Sequence, residues 1–313
     1  MQLISKNFQI IEQESGLDGI FKQITKAGYT CYKTEKEITP ESSEKFVKKM
    51  IENKHYAMLE HGTVYLKFHW DTTNITETVK YLKYQKDRFS VVNFVEETPN
   101  HLIAYVTTNY RVLVENGWLD DLDYLCEPTP YHEKRVTVRF NMDRVGTQSV
   151  ERHRGYYGNS FAQESTRFCN YTNEKKFGSN GIKISIPHWT NEIEIGQEFS
   201  LEKIKEIHSQ YLASKTNNNI CNNFDKLHYW IAANDFCNFC YTRLIECGMS
   251  PEDARSILPL DINSEMVMTS YVSDWKHFFD LRTSKAETGR PHPDIMEIAN
   301  KLQDCFQKNH IIV

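Results

Sequence analysis

The segment from Arg152 to Arg167 concentrates side chains that can bind phosphate. It begins Arg152-His153-Arg154 and ends with the run SFAQESTR at 160–167, so guanidinium, imidazole, amide and hydroxyl groups occur within sixteen residues. Arginine presents a planar fork of donors to phosphate oxygens, and hydroxyls and backbone N–H groups can complete the contact. Solvated charged faces contain the same residue types. Taken alone, the segment leaves open an anion site or a charged surface.

The arginines are unevenly distributed along the chain. The formal net charge is −5, yet six of the twelve arginines fall between positions 135 and 167. They are Arg135, Arg139, Arg144, Arg152, Arg154 and Arg167. Nucleic-acid binding usually requires a basic domain or a long basic stripe. The distribution therefore favours a small anionic ligand in a pocket and does not favour nucleic acid as a partner.

Four blocks of the sequence resemble, in the same order, the motifs of the flavin-dependent thymidylate synthases, the ThyX family. Arg-His-Arg followed by Ser-x-x-x-x-Ser-x-Arg and an aromatic residue is similar to the central motif of that family. An upstream block has a histidine and, five residues later, Glu-His, and two further blocks follow the central motif. These blocks are His55 with Glu60-His61, ARSILP at 254–259, and FDLR at 279–282 with PHPDIMEI at 291–298.

The resemblance implies a fold and a reaction. The fold is α/β, with a mostly antiparallel sheet wrapped by helices, and it assembles as a homotetramer with active sites shared between subunits. The reaction is the reductive methylation of dUMP to dTMP, with FAD as cofactor and NADPH and methylenetetrahydrofolate as co-substrates. We expect one such domain over residues 1–313, with insertions near 71–134 and 173–223, because the chain is long for the family.

The resemblance also assigns roles to individual residues. Arg282 is the expected catalytic residue, a fixed cation against the pyrimidine that polarises the uracil and makes C5 more nucleophilic. The residues expected to bind dUMP are Ser149, Arg152, Gln163, Glu164, Ser165, Thr166, Arg167, Arg255 and Arg282. Those expected to bind FAD are His55, Arg152, His153, Arg154, Tyr271 and His277. Neither a metal nor a cysteine nucleophile is expected.

The chain departs from the family pattern around the flavin. Five residues, 155–159, separate Arg-His-Arg from the first motif serine where the family has two, so this loop is three residues longer. At other positions the residue type differs from that of the family. Ser149 replaces a glutamine, Gln163 replaces a glutamate and Phe168 replaces a tyrosine, while Tyr271 and His277 each replace an asparagine. We therefore expect nucleotide binding to follow the family more closely than flavin binding does.

Two other functions remain open at this point. The longer loop could admit water or another acceptor, which would favour a flavin- and folate-dependent enzyme that makes another C5-modified pyrimidine nucleotide, such as a hydroxymethylated one. Alternatively, a protein that kept the phosphate-binding arginines but lost flavin would bind nucleotides without catalysis. Product mass separates the first alternative, and the absence of flavin colour would favour the second.

Composition is that of an ordinary soluble globular protein. The 313 residues are 25% charged and 40% hydrophobic, and no run of eighteen apolar residues or basic-then-apolar leader occurs. We expect a cytoplasmic protein without a membrane span. The eight cysteines are scattered, as is typical of reduced thiols. Cys237 and Cys240 have a spacing that is typical of metal ligands. However, they also form a series at helical spacing, which we interpret as an apolar stripe on one helix. The other members of this series are Trp230, Ala233, Phe236, Leu244 and Cys247.

The elements that must position these residues can be read from periodicity and capping signals. Alternation predicts a strand at 61–70, with Val64, Leu66 and Phe68 on one face, and another at 135–142 that leads toward Arg-His-Arg. Further strands are predicted at 91–95, 101–107 and 182–186, and helices at 15–27, 40–54 and 225–246. Loops are predicted at 173–180 and 215–223. Residues expected to cap or open helices are Thr39, Pro40, Ser200, Ser250 and Pro251, with Gly248 ending the long helix.

Overall fold

The structure is a computed structural model that describes residues 1–34, 36–71, 75–177, 181–190, 201–214, 226–286 and 289–311. The chain divides into two compact units, each built from three segments. The first unit comprises 1–7, 141–148 and 164–264, and the second comprises 8–140, 149–163 and 265–313. The predicted loop at 215–223 and the predicted cap Ser200 lie outside the described residues.

The described ranges contain nine strands in three sheets. The strands are β1 (Gln2–Ile4), β2 (Asn7–Ile11), β3 (Thr63–Asp71), β4 (Val91–Thr98), β5 (His101–Asn109), β6 (Arg135–Asp143), β7 (Ser160–Gln163), β8 (Lys183–Ser185) and β9 (Asn263–Tyr271). Their orders are β1-β8, β2-β6-β9-β7 and β3-β5-β4. The pairs β3–β5, β4–β5 and β7–β9 are antiparallel, and β1–β8 is parallel. The predicted α/β class with a mostly antiparallel arrangement is confirmed.

Eleven α-helices occur among the strands along the described chain. They are α1 (Gly16–Tyr32), α2 (Pro40–Glu52), α3 (Ile75–Lys86), α4 (Tyr110–Asn116), α5 (Arg144–Glu151), α6 (Glu174–Phe177), α7 (Leu201–Ser214), α8 (Lys226–Glu246), α9 (Pro251–Ala254), α10 (Val272–Arg282) and α11 (Pro293–Lys308). Short 3₁₀ helices cover Tyr56–His61, Leu119–Tyr124 and Arg255–Ile257.

The segment expected as an insertion contributes two strands of a three-stranded sheet in the second unit. Its central strand, β5, pairs with β3 along nine residues and with β4 on the other side. Alternation along β3 is confirmed, because Val64, Leu66 and Phe68 are buried, whereas Lys67 is half-buried and His69 is exposed. The buried face packs into one core with residues of α1 and α2. The strand predicted at 61–70 thus belongs to the same sheet as the insertion that follows it.

Helix boundaries follow the local signals in the sequence. Thr39 caps α2, since its side chain accepts from the N–H of Ser42 while the Ser42 hydroxyl accepts from the N–H of Thr39. Ser250 caps α9 in the same way by accepting from the N–H of Asp253. The long helix α8 ends before Gly248, which has a φ of +90° that favours glycine. These three predictions are confirmed.

The predicted apolar stripe on α8 is wrong in part. Ala233, Phe236 and Cys247 are exposed, and the buried face carries Ile231, Ala232, Asn234 and Tyr241 instead. Cys237 and Cys240 are half-buried, and burial raises the pKa of the Cys237 thiol. The helix is apolar on several sides, so periodicity alone could not choose the face that packs.

Aromatic side chains of α10 form a buried cluster in the second unit. Trp275, Phe278 and Phe279 on this helix are buried and contact one another and Phe306 of α11. This packing orients α10 and its last residue, Arg282. No described helix combines the length and the hydrophobicity that crossing a membrane requires.

Candidate functional site

Arg282 is half-buried at the last position of α10. One terminal nitrogen, Nη2, donates to the carbonyl oxygen of Ser149 at 3.4 Å, while the buried Nε–H has no acceptor among the described residues. Burial lowers the pKa of this guanidinium, and the nearby Arg152 lowers it further. A buried polar group without a partner carries a desolvation cost. Arg282 therefore presents a cation whose hydrogen-bonding capacity is only partly used by the described residues.

His153 is buried between two exposed arginines, Arg152 and Arg154. Its Nδ1 lies 3.2 Å from the carbonyl oxygen of Val150, and because a carbonyl only accepts, Nδ1 carries the proton. The ring packs edge-on against Phe278 at 4.8 Å. Burial, and then the positive charge of Arg282, lowers the pKa of His153 from 6.5 to about 4. At neutral pH the ring is uncharged, with Nε2 as an acceptor.

The longer loop at 155–159 is anchored by Asp274, near the start of α10. The Asp274 carboxylate accepts from the backbone N–H of Tyr156 at 2.6 Å and of Tyr157 at 3.2 Å. Asn159 donates to the carbonyl of His153 at 3.2 Å and accepts a hydrogen bond from the hydroxyl of Ser270 at 2.5 Å. A Cβ at Gly155 would lie 2.3 Å from an oxygen of Asp274, so glycine is required there. The loop has a defined backbone despite its departure from the family length.

The other residues expected at the flavin differ in exposure. Tyr271 is buried, and its hydroxyl contacts the carbonyl oxygens of Phe89 at 2.9 Å and Thr107 at 2.8 Å. Its ring packs against the ring of Tyr157 with 5.0 Å between the centroids, so Tyr271 supports the loop 155–159. His277 and His55 are exposed, at α10 and at the start of the first 3₁₀ helix respectively.

The upstream Glu-His element of the second unit is held by internal partners. Glu60 pairs with Arg111 at 2.5 Å. His61 is buried, its Nδ1 lies 2.8 Å from the hydroxyl of Thr269, and burial lowers its pKa to about 3. These contacts give Glu60 and His61 a structural role.

Four residues expected to bind dUMP, 164–167, lie together in the first unit. Glu164 is buried and accepts a hydrogen bond from the hydroxyl of Tyr171 at 2.9 Å. Ser165 forms a turn, because its hydroxyl accepts from the N–H of Arg167 at 3.3 Å and its carbonyl accepts from the N–H of Cys169 at 3.0 Å. Thr166 is buried. Along this turn Glu164 and Thr166 are buried, Ser165 is half-buried and Arg167 is exposed.

Both arginines expected at the phosphate are exposed in the first unit. Arg167 pairs with Glu252 of α9, Nε to carboxylate, at 2.7 Å. Arg255 begins the short 3₁₀ helix that follows α9. Thus the partner of Glu252 is Arg167, and not Arg255, which stands three residues after it in sequence. Ion pairs at this exposure contribute little stability, so Arg167 can exchange its partner.

Sequence reasoning missed the residues that hold these groups in place. Asp274 anchors the loop 155–159, and its only local signal is an acidic side chain in the first turn of a helix. Tyr171 holds Glu164, and no spacing rule points to it. Motif positions alone predict Ser149, Gln163 and Arg282 as site residues, and the structure places Arg282 in contact with the carbonyl of Ser149.

The residues around His153 fit a flavin dinucleotide. Arg152 and Arg154 are exposed cations suited to a diphosphate, and the neutral His153 offers an acceptor. Arg154 also lines a cavity of about 890 Å³ with the loop residues Tyr156 and Tyr157, a volume within the range of small-molecule sites. The buried, unsatisfied Nε–H of Arg282 supplies a donor for a polar ring edge.

Comparison with known proteins finds flavin-dependent thymidylate synthases among the relatives of this chain. The sequence model of the family Thy1, "Thymidylate synthase complementing protein", matches residues 104–310. The chain is 38% identical over 68 residues to a probable flavin-dependent thymidylate synthase of Paramecium bursaria Chlorella virus 1. These aligned residues make up 22% of this chain and 30% of the viral protein. The chain is 33% identical over 70 residues to the flavin-dependent thymidylate synthase of Tropheryma whipplei, covering 21% and 29%.

The matched segment thus spans about 30% of the length of these curated relatives. Among solved structures, the UMP/dUMP methylase PolB from Streptomyces cacaoi, bound with 5-Br dUMP, aligns with 98% of this chain and 93% of its own, at 15% identity and a TM-score of 0.41. The family model covers well over half of the chain and includes three of the four sequence blocks. The chain belongs to the Thy1 family of thymidylate synthase complementing proteins.

Proposed function

We propose that this protein is a flavin-dependent thymidylate synthase that methylates C5 of dUMP to give dTMP. The proposed cofactor is FAD, with methylenetetrahydrofolate as the one-carbon donor and NADPH as the electron donor. Family membership and the flavin-dependent names of the relatives support the reaction class. The observation that carries the proposal in this chain is Arg282, a half-buried cation with an unused buried donor.

Arg282 is suited to act on a uracil ring electrostatically. A fixed guanidinium beside the pyrimidine stabilises negative charge that develops at N3 or O4 as C5 becomes nucleophilic. Because Nη2 is held by the Ser149 carbonyl, the fork has a defined orientation and little reorganisation is needed. The neutral His153 adjoins this cation without adding charge repulsion, since burial and Arg282 keep it deprotonated.

The cofactor would be held by the Arg-His-Arg segment. FAD, when bound, supplies the redox chemistry, and the chain supplies orientation and charge. Arg152 and Arg154 would bind the diphosphate, and His153 would accept a hydrogen bond. His55 and His277, both exposed in the same unit, are proposed as further flavin contacts. Tyr271 would act through the loop, because its own hydroxyl is committed to backbone carbonyls.

The dUMP phosphate would be bound by exposed cations of the first unit. Arg167 and Arg255 provide the charge, and Ser165 provides a hydroxyl at the turn. Glu252 occupies the Arg167 fork in the chain alone, so phosphate binding would replace this carboxylate. Gln163, Glu164, Thr166, Ser149 and Arg152 complete the proposed nucleotide set. We also propose a cytoplasmic homotetramer with shared sites.

A second candidate is a related enzyme that makes another C5-modified pyrimidine nucleotide. The observation in its favour is the loop 155–159, which has a rigid anchor at Asp274 and presents two tyrosines beside the Arg-His-Arg segment. A loop of this kind could admit a different acceptor of the one-carbon unit. The mass of the product separates the two reactions.

The test is an anaerobic absorption experiment on the purified full chain. We expect flavin bands near roughly 370 and 450 nm that bleach on addition of NADPH, and faster when dUMP is present. Mass analysis of the product should show dTMP when methylenetetrahydrofolate is added. A colourless protein that takes up no FAD but binds dUMP would contradict the redox proposal and favour a non-catalytic nucleotide-binding protein.

A further inference from the structure

A cavity of about 890 Å³ in the second unit joins the insertion to the longer loop. It is lined on one side by residues between the end of α3 and the start of β4, and on the other by Arg154 and the loop residues Tyr156 and Tyr157. The insertion contributes Lys86 and Arg88, both exposed. Neither residue belongs to a family block.

The cavity combines three cations with few competing acids. The acidic lining residue is Asp87, whose carboxylate accepts from the hydroxyl of Ser90 at 2.5 Å and from the N–H of Phe89 at 3.1 Å. These bonds hold the carboxylate within its own turn, and burial raises its pKa. Lys86, Arg88 and Arg154 therefore make the lining net positive, which is suited to phosphate groups.

Tyr156 adds an aromatic surface with a fixed backbone. Its side chain is 82% exposed, although its N–H is bonded to Asp274 and the next ring, Tyr157, packs edge-on against it at 4.9 Å. An exposed ring on an anchored loop is preorganised for stacking, because little backbone entropy is lost when a planar ligand binds. Stacking of nucleobases on aromatic side chains is tolerant of base identity.

We propose that this cavity binds the base-and-diphosphate end of a nucleotide-type ligand, with the ring on Tyr156 and the phosphates on Lys86, Arg88 and Arg154. The inference deepens the proposed function and rests on it for the source of the ligand, since Arg154 is assigned there to FAD. The shared chemistry is an adenosine diphosphate moiety, which occurs in FAD and in NADPH. The insertion would thereby complete a binding site and not merely lengthen the chain.

Equilibrium titrations of the full-length protein test this inference with four probes: ADP, FAD, FMN and NADP⁺. FMN has the same isoalloxazine ring as FAD but no adenosine. We expect Arg88→Ala and Tyr156→Ala each to weaken ADP binding about tenfold, from lost phosphate and stacking contacts. Tyr156→Phe keeps the ring and should bind as the wild type does. Lys48→Ala, at an exposed lysine paired with Glu44, is the matched charge control.

The flavin probes identify the source of the moiety. If it is the adenylyl half of FAD, both alanine variants weaken FAD about tenfold and leave FMN affinity within twofold. If it belongs to the nicotinamide dinucleotide, FAD and FMN are unchanged and NADP⁺ binding weakens instead. Either pattern supports the inference.

Two results would overturn the inference. One is wild-type affinity of both alanine variants for ADP, FAD and NADP⁺; the other is an equal loss of FAD and FMN, which would place the effect on the isoalloxazine ring or on folding. A wild-type protein that binds ADP but neither flavin would count against the proposed function alone, because the cavity would still bind its nucleotide end.

Discussion

The two units hold their candidate site residues in opposite electrostatic settings. In the first unit Arg167 and Arg255 are exposed, and Arg167 already has a carboxylate partner in Glu252. In the second unit Arg282 is half-buried, bonds a single backbone carbonyl and retains an unsatisfied buried Nε–H. The same residue type is thus an exchangeable surface charge in one unit and a costly, preorganised charge in the other.

This difference indicates that the arginines of the two units are suited to different roles, one in binding and the other in turnover. An exposed cation loses little solvation and gains little from any one partner, which suits reversible capture of a phosphate. A partly desolvated cation interacts more strongly with charge that appears in a transition state, because the local dielectric is lower. We therefore expect substitutions in the first unit to change affinity modestly and substitutions at Arg282 to change turnover.

The largest expected effect is on turnover in Arg282→Ala. Loss of the fixed cation should lower kcat for dTMP formation by about 10²–10³-fold, with flavin absorbance retained. Arg282→Lys, which keeps the charge but loses the fork, should remain well below the wild type. Lys276→Ala, an exposed cation on the same helix, is the control. Equal kcat values for Arg282→Ala and the wild type would contradict the catalytic assignment.

The second expected effect is a loss of stability in acid that depends on His153. Its pKa is about 4 in the fold against 6.5 ordinarily, so the unfolded state binds more protons between these values. The stabilisation of the neutral ring is fully present above pH 6.5 and is lost as the pH falls to about 4. At one pKa unit per roughly 1.4 kcal/mol, the loss is about 3 kcal/mol.

Urea unfolding of His153→Gln at pH 7.5 and pH 4.5 measures this effect. The variant should lose less free energy of unfolding than the wild type across that interval. His277→Gln, at an exposed histidine of the same unit, should retain the wild-type dependence. An unchanged pH dependence in His153→Gln would show that other groups, such as buried His61, account for the acid sensitivity.

A third effect is expected from Tyr171→Phe in the first unit. The change removes the hydroxyl that donates to the buried Glu164, so we expect the free energy of unfolding to fall by about 1–3 kcal/mol. Urea denaturation at pH 7 provides the measurement. Tyr229→Phe, at a more exposed tyrosine of the same unit, serves as control. A loss no larger than in the control would show that Glu164 is held chiefly by other groups.

The smallest effect is expected from Glu252→Gln. Removing the carboxylate frees Arg167, and if Arg167 binds phosphate, dUMP affinity should rise by about two- to fivefold, while stability changes by no more than about 1 kcal/mol. Glu246→Gln removes the carboxylate of a similar exposed pair, with Arg243, and should leave dUMP affinity unchanged. Calorimetric titration with dUMP measures both variants. Weaker binding in Glu252→Gln would argue against partner exchange at Arg167.

Local features were predictable because their physics lies within a few residues. Thr39 and Ser250 cap helices through backbone groups three positions away. The alternation of Val64, Leu66 and Phe68 predicted the buried face of β3, because side chains alternate across a strand. On α8 the same reasoning was right only in part, since Trp230 and Leu244 pack against the core whereas Phe236 is exposed, and the buried Tyr241 was not predicted. An apolar helix surface on several sides leaves that choice to packing.

The sequence by itself determined the family, through motif blocks whose order and spacing are properties of the chain, and it singled out Arg282, His153 and Arg167 as candidate site residues. Only the tertiary structure decided that Arg282 is half-buried with an unused donor and Arg167 exposed and paired. It also brought Asp274 to the loop at Tyr156, 118 positions away. Burial, pKa and hydrogen-bond satisfaction depend on which distant elements pack around a side chain, and no local pattern encodes that environment.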